Sequence, residues 1–195
     1  MTTESPGRPR VLVAGVGNIF LGDDAFGVEV VQRLLRRPQP DGVRIVDFGI
    51  RGFDLAYALL EQRGVVILVD AVSRGAEPGT LFVIEADTSP GDGPAPEIQA
   101  HSMTPAAVFH LIRSMGEEPP ARVLVVGCEP ATFGPEELGQ MGLSDAVAAA
   151  LPGAVEMVEQ LVAESLGVVQ GGGGRGEAPR EGARERPVEE APSHA

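Results

Sequence analysis

The stretch VVILVDAVSRGAEPGTLFVIE, residues 65–85, decides the fold. It holds two strand-length runs of β-branched and aliphatic residues, 65–70 and 80–84, separated by the nine residues AVSRGAEPG. A parallel crossover needs about a dozen residues or more and usually a helix, so the second run is expected to lie antiparallel to the first. Three further runs, 11–14, 43–48 and 122–127, are spaced by helix-length segments. That alternation predicts an α/β fold, an open sheet with helices on both faces, and the near-continuous apolarity of the runs predicts burial on both sides. Between the first two runs, residues 25–37 place Phe26, Val30, Val31 and Leu34 on one helical face and Glu29, Gln32, Arg33 and Arg36 on the other. Further helices are expected over 53–62, from Pro105 with Thr104 as N-cap, and over 144–166 with a kink or break at Pro152. On the third helix Val108, Leu111, Ile112 and Met115 form the inner face, and His110 is expected to be solvated.

Composition limits the rest. The chain has 195 residues, 43% of them hydrophobic, enough for one domain and one core. Fifteen arginines, no lysine and 28 acidic residues give a net charge of −13, which argues against nucleic acid or an anionic membrane as partner. A lone cysteine, Cys128, permits no internal disulfide and no cysteine-based zinc site, as befits a reducing compartment. The first residues, MTTESPGRPR, lack the apolar core of a signal peptide, and the expectation is a cytoplasmic protein. After Gly167 the composition changes to glycine, proline, four Arg and five Glu, so 168–195 is expected to be a disordered tail on a 1–167 domain.

In open α/β sheets ligands collect beyond the carboxyl ends of the strands. There the first run leads into GVGNIFLGDDAFG, 15–27, the second reaches Asp47 before FGIRG, the third ends at Asp70, and the fifth ends in GCEP, 127–130. A dinucleotide fingerprint fails because its third glycine would stand at Phe20 and because Asp23 and Asp24 would repel a pyrophosphate. One of those acids is accounted for as a helix cap; the second is not. If Asp24 and Asp70 meet, they raise each other's pKa unless a cation intervenes, and the candidates are Arg51, Arg74 or a metal. Of the histidines, His194 falls in the tail, and His101 sits on a loop just before the third helix. Two carboxylates and one imidazole with open coordination positions suit zinc or nickel. Cys128 reads as a small buried hydrophobe, and no G-x-S-x-G elbow or H-E-x-x-H helix occurs. A pair of aspartates sharing one proton, as in aspartic proteases, remains an alternative.

GVGNIFLGDDAFG at 15–27, DFGIRGFDL from Asp47, LVDAV around Asp70, PGT at 78–80, His101 before a helix and VVGCEP at 125–130 together resemble the NiFe hydrogenase maturation endopeptidases. The resemblance runs in order and spacing over residues 10–166. It implies a three-layer α/β/α sandwich around a five-stranded mixed sheet of order 2-1-3-5-4 with strand four antiparallel. It also implies a monomer that cuts a C-terminal extension from the hydrogenase large-subunit precursor once nickel is installed, with nickel supplied by the precursor. Carried over by position, the metal-contacting residues fall on Asp24, Asp70 and His101. The first of these is often Glu in the family. The same resemblance makes Asp47, Gly49 and Arg51 candidates for substrate contact, with Asp23 behind them; the family's second-strand loop often reads D-G-G-T-x-G where this chain has DFGIRG. Two other functions stay open at the level of sequence: a metal-free aspartic-type protease, and a checkpoint protein that binds immature hydrogenase without cutting it.

Overall fold

The computed structural model describes residues 10–62, 64–89, 105–134 and 139–167. His101, Thr104 and the 168–195 segment lie outside them. Five strands, β1 (Val11–Val16), β2 (Val43–Gly49), β3 (Val65–Ala71), β4 (Leu81–Glu85) and β5 (Val123–Cys128), form one sheet in the order β2-β1-β3-β5-β4. β1, β2, β3 and β5 pair in parallel, and β4 pairs antiparallel with β5, as the nine-residue connection requires. Four helices, α1 (Phe26–Leu34), α2 (Gly52–Glu61), α3 (Pro105–Ser114) and α4 (Asp145–Leu166), cover the two faces.

Alternation along the strands divides the core in two. Val11, Val13, Ile67, Val69, Leu124 and Val126 pack with α1 and α4. Leu12, Ala14, Val66, Leu68, Val123 and Val125 pack with α2 and α3 on the other side. The three central strands are buried as expected; β2 and β4, at the edges, are only half-buried, because each lacks a neighbour on one side. Strands run a residue or two past their apolar cores, since backbone pairing continues through Gly15, Asp47 and Asp70 irrespective of side-chain polarity.

Three departures from expectation have local causes. α1 begins only at Phe26, because residues 22–25 form a separate 3-10 turn, and its last residues tighten into bonds from Arg36 N–H to Arg33 and Arg37 N–H to Leu34 before Pro38. α4 passes through Pro152 as one helix; the carbonyl left without a donor belongs to Ala148, on an exposed residue where water can serve it. On α3, Phe109 is buried and His110 half-buried, while Met115 is 38% exposed, so the buried arc is turned toward Phe109 relative to the expected one. By length and apolarity α4 alone among the described helices could cross a membrane, yet Val147, Leu151, Val155, Val158 and Val162 are buried on the sheet.

Candidate active site

Two glycines build the site. Gly17, just past β1, has φ of 131°, and a Cβ there would stand 1.8 Å from the Asp24 carbonyl oxygen. Only glycine lets the loop fold this closely over the 3-10 turn Gly22–Ala25, which carries Asp23 and Asp24. At the start of α1, a Cβ on Gly27 would meet the carbonyl oxygens of Val69 at 2.0 Å and Val16 at 2.3 Å. The helix therefore seats directly on the ends of β1 and β3, and Asp24 comes close enough to Asp70 for their charges to interact.

Asp24 is half-buried and accepts a 2.7 Å hydrogen bond at Oδ2 from the Asn18 backbone N–H. Burial pushes its pKa above the usual carboxylate value, against the opposing pull of that N–H. Asp70, at the end of β3, is pushed up to about 7, first by burial and then by the negative charge of Asp24, with the Ala71 N–H pulling the other way. Two carboxyl groups therefore share a site at the switch point between β1 and β3, where neither arginine proposed as counter-ion has been recruited. Arg51 turns back onto its own loop, donating to the carbonyls of Asp47 and Phe48 (Nε to Phe48 at 3.1 Å), and lies 3.7 Å from Asp54. Arg74 stacks over the Phe82 ring at 5.3 Å.

Asp23 and Asp24 are neighbours with opposite fates. Asp23 has no solvent exposure, and its oxygens accept from Ala131 N–H (2.8 Å), Thr132 N–H (3.1 Å), Ser144 N–H (2.6 Å) and Ser144 Oγ (2.9 Å). It is closed off from any substrate by these internal donors. Asp47 does not join the pair: its Oδ2 takes a 2.9 Å bond from Gln32 Nε2 on α1. Gly49, at φ of 53°, ends β2 in the left-handed region and accepts the Gly17 N–H at 3.1 Å, fastening the β2 loop to the β1 loop. Arg51 keeps its side chain 59% exposed on that rim.

Sequence reasoning passed over Glu129. It is buried beyond β5 and accepts the N–H groups of Arg74 (2.7 Å) and Gly75 (3.2 Å), holding the β3–β4 connection against the sheet. Burial pushes its carboxyl up, but the N–H groups of Arg74, Ala76 and Gly75 outweigh that and hold it below its ordinary value. Its signal was an acid placed directly after an apolar strand, the same signal that marked Asp70. Cys128 is buried and its thiol is pushed up to about 11, by burial and then by the charges of Asp23 and Glu129, so it is no ready nucleophile. At the carboxyl end of the sheet, the segments that follow β1, β2 and β5 expose Ile19, Phe20, Ile50, Phe133 and Met141, and Phe53 in the first turn of α2 is exposed as well, apolar surface suited to a polypeptide.

Among the described residues no three His, Cys, Asp or Glu side chains cluster as a metal site; Asp24 and Asp70 supply two oxygen-donor groups, and His101 lies outside those residues. Oxygen donors that repel each other when both ionise suit a cation brought to them.

A model of the hydrogenase maturation protease family matches residues 28–161. A putative hydrogenase maturation protease of Methanocaldococcus jannaschii is 34% identical over 155 residues, 77% of this chain and 95% of that one. The hydrogenase 2 maturation protease of Escherichia coli is 33% identical over 157 residues, 80% of this chain and 92% of the relative. Among solved structures, the hydrogenase maturating endopeptidase HybD from Escherichia coli superposes with a TM-score of 0.62 at 31% identity, covering 80% of this chain and 93% of that one. The hydrogenase 2 maturation peptidase of a Thaumarchaeota archaeon gives 0.58 at 32%, covering 82% and 99%. The sheet order, the acid pair at its switch point and these likenesses converge: the chain belongs to the hydrogenase maturation protease family and is a peptidase.

Proposed function

We propose that this protein removes the C-terminal extension of a NiFe hydrogenase large-subunit precursor after nickel insertion, and that it recognises nickel already held by the precursor. The observation that carries the proposal is the Asp24–Asp70 pair, two mutually repelling carboxyl groups at the switch point, on the end of the sheet whose following segments expose apolar side chains. In this reading Asp24, Asp70 and His101 complete the coordination of the precursor's nickel and so fix the scissile bond against the site. Three such groups hold a free divalent ion weakly and a shared one strongly, because the precursor adds further ligands. Asp47, Gly49 and Arg51 line the rim that the precursor would cross, with Arg51 offering an exposed cation. Asp23, sealed by its four hydrogen bonds, takes no part in substrate contact in this proposal. The protein would act in the cytoplasm, with no nucleic acid or membrane partner, as its net charge of −13 and single buried thiol favour, and as the monomer that the family resemblance implies.

One observation favours a second reading. A carboxyl pushed up to about 7 can carry a proton near neutral pH while a neighbouring carboxylate is ionised, the protonation pattern a metal-free aspartic protease uses. There, one ionised oxygen takes a proton from the attacking water and the protonated partner gives one to the leaving amine. Mass spectrometry separates the two. Enzyme purified in chelator should cut nickel-loaded precursor and leave metal-free precursor intact; efficient cutting of the metal-free form would replace nickel recognition with the acid-pair mechanism.

A further inference from the structure

We propose that Asp23 is the positioning residue of the site: its buried carboxylate locks the loop after β5 and the start of α4 onto the turn that presents Asp24. The proposal rests on the peptidase reading above. All four hydrogen bonds to Asp23 come from donors, and three of those donors are backbone N–H groups more than a hundred residues away in sequence. An ionised carboxylate can accept all of them; an amide would turn a donor toward donors. Ser144 completes the clasp. Its Oγ donates to Asp23 and accepts the Val147 N–H at 3.4 Å, so the N-cap of α4 and the brace are the same hydroxyl. Backbone bonds reinforce the clasp: Asp23 N–H to Thr132 O at 3.1 Å, Gly22 N–H to Gln140 O at 2.7 Å, and Gln140 N–H to Phe20 O at 2.7 Å. Asp24 is the next residue in the same four-residue turn, and the Asn18 N–H tethers its side chain at 2.7 Å. A shift at Asp23 is therefore passed directly to the carboxylate that must meet the substrate.

The test uses the full chain, with Asp23→Asn, Ser144→Ala and Ser144→Thr, and two readouts. In cleavage of nickel-loaded precursor, Asp23→Asn should lower kcat about 100-fold while KM changes less than about threefold, the signature of a displaced reacting group. Ser144→Ala should fall between, and Ser144→Thr, which keeps the hydroxyl, should restore the rate. In amide hydrogen exchange without substrate, Asn18 should lose protection about tenfold in Asp23→Asn while Val13 and Ile67 keep theirs. A kcat within about threefold of the parent, or exchange that rises equally at all three amides, would overturn the proposal. If Asp23→Asn fails to fold, the contrast between Ser144→Ala and Ser144→Thr decides. If the parent protein does not cut the precursor, the peptidase reading of the substrate fails, and exchange at Asn18 still judges the brace.

Discussion

Replacing Asp70 by asparagine should make the protein more stable while abolishing its activity. Asparagine keeps the shape of the side chain and its oxygen can still accept the Ala71 N–H, but it carries no charge to bury. The carboxyl's pKa rises from 3.8 in its ordinary state to about 7 in the folded protein. The native state therefore binds a proton more tightly than the unfolded chain, and this contribution to stability is full below pH 4 and lost as pH rises through about 7. Three pKa units correspond to about 4 kcal/mol, the burial cost of the ionised carboxyl and its repulsion by Asp24 together, less what the asparagine amide costs to bury. Asp70→Asn should accordingly gain on the order of 2–4 kcal/mol over the parent near pH 8 and almost nothing near pH 4. For a domain of this size that is roughly 4–16 °C in melting temperature. Urea denaturation at several pH values, alongside precursor cleavage by mass spectrometry, measures both halves. An Asp70→Asn variant no more stable than the parent at pH 8, or one offset equally at every pH, would refute the reasoning.

Other substitutions probe the same architecture. Asp24→Asn should abolish precursor cleavage with circular dichroism unchanged, whereas Asp24→Glu, which preserves the ligand type, should remain active. His101→Ala should be inactive and His110→Ala active; the reverse result in a cleavage assay would displace the third ligand from His101. Gly27→Ala places a methyl 2.0 Å from the Val69 carbonyl oxygen and must lift α1 off the sheet by more than 1 Å, so it should cost about 3 kcal/mol in chemical denaturation and impair cleavage too. Arg37→Ala breaks the 2.8 Å pair with Glu159, whose side chains are 49% and 45% exposed; it should change stability by no more than about 1 kcal/mol.

The topology was legible because one short connection allows a single answer: nine residues between β3 and β4 cannot cross the sheet in parallel. Asp70 was legible for a similar reason, as a charge directly after a buried strand. Which of Asp23 and Asp24 faces the site was read from family likeness and not from chemistry, because adjacent acids look alike until their partners are known. The partners of Asp23, Ala131, Thr132 and Ser144, are brought in by the return of β5 and α4, and nothing near residue 23 announces them. Glu129 carried the same local signal as Asp70, but what separates their roles is distant: the donors to Glu129 lie on the β3–β4 loop. Pro152 was legible as a helix breaker, and the helix continued because the orphaned carbonyl belongs to an exposed residue and the inner face buries Leu151 and Val155. The two arginines offered as counter-ions were near in sequence to the acids, but their guanidinium groups found closer partners in Phe48 and Phe82.

The adjacency of a sealed acid and a reactive one also constrains how this loop can diversify. Inserting or deleting one residue between Gly17 and Asp23 would put the wrong carboxylate in the clasp or draw both away from it, so the length of the segment is pinned at both ends. Its side chains are not: Ile19 and Phe20 stand 42% and 59% exposed, carry no structural bond through their side chains, and can be exchanged without disturbing either acid. Descendants of such a protein can therefore change what they grip by swapping side chains on a loop of fixed span, keeping the chemistry while trading one precursor for another.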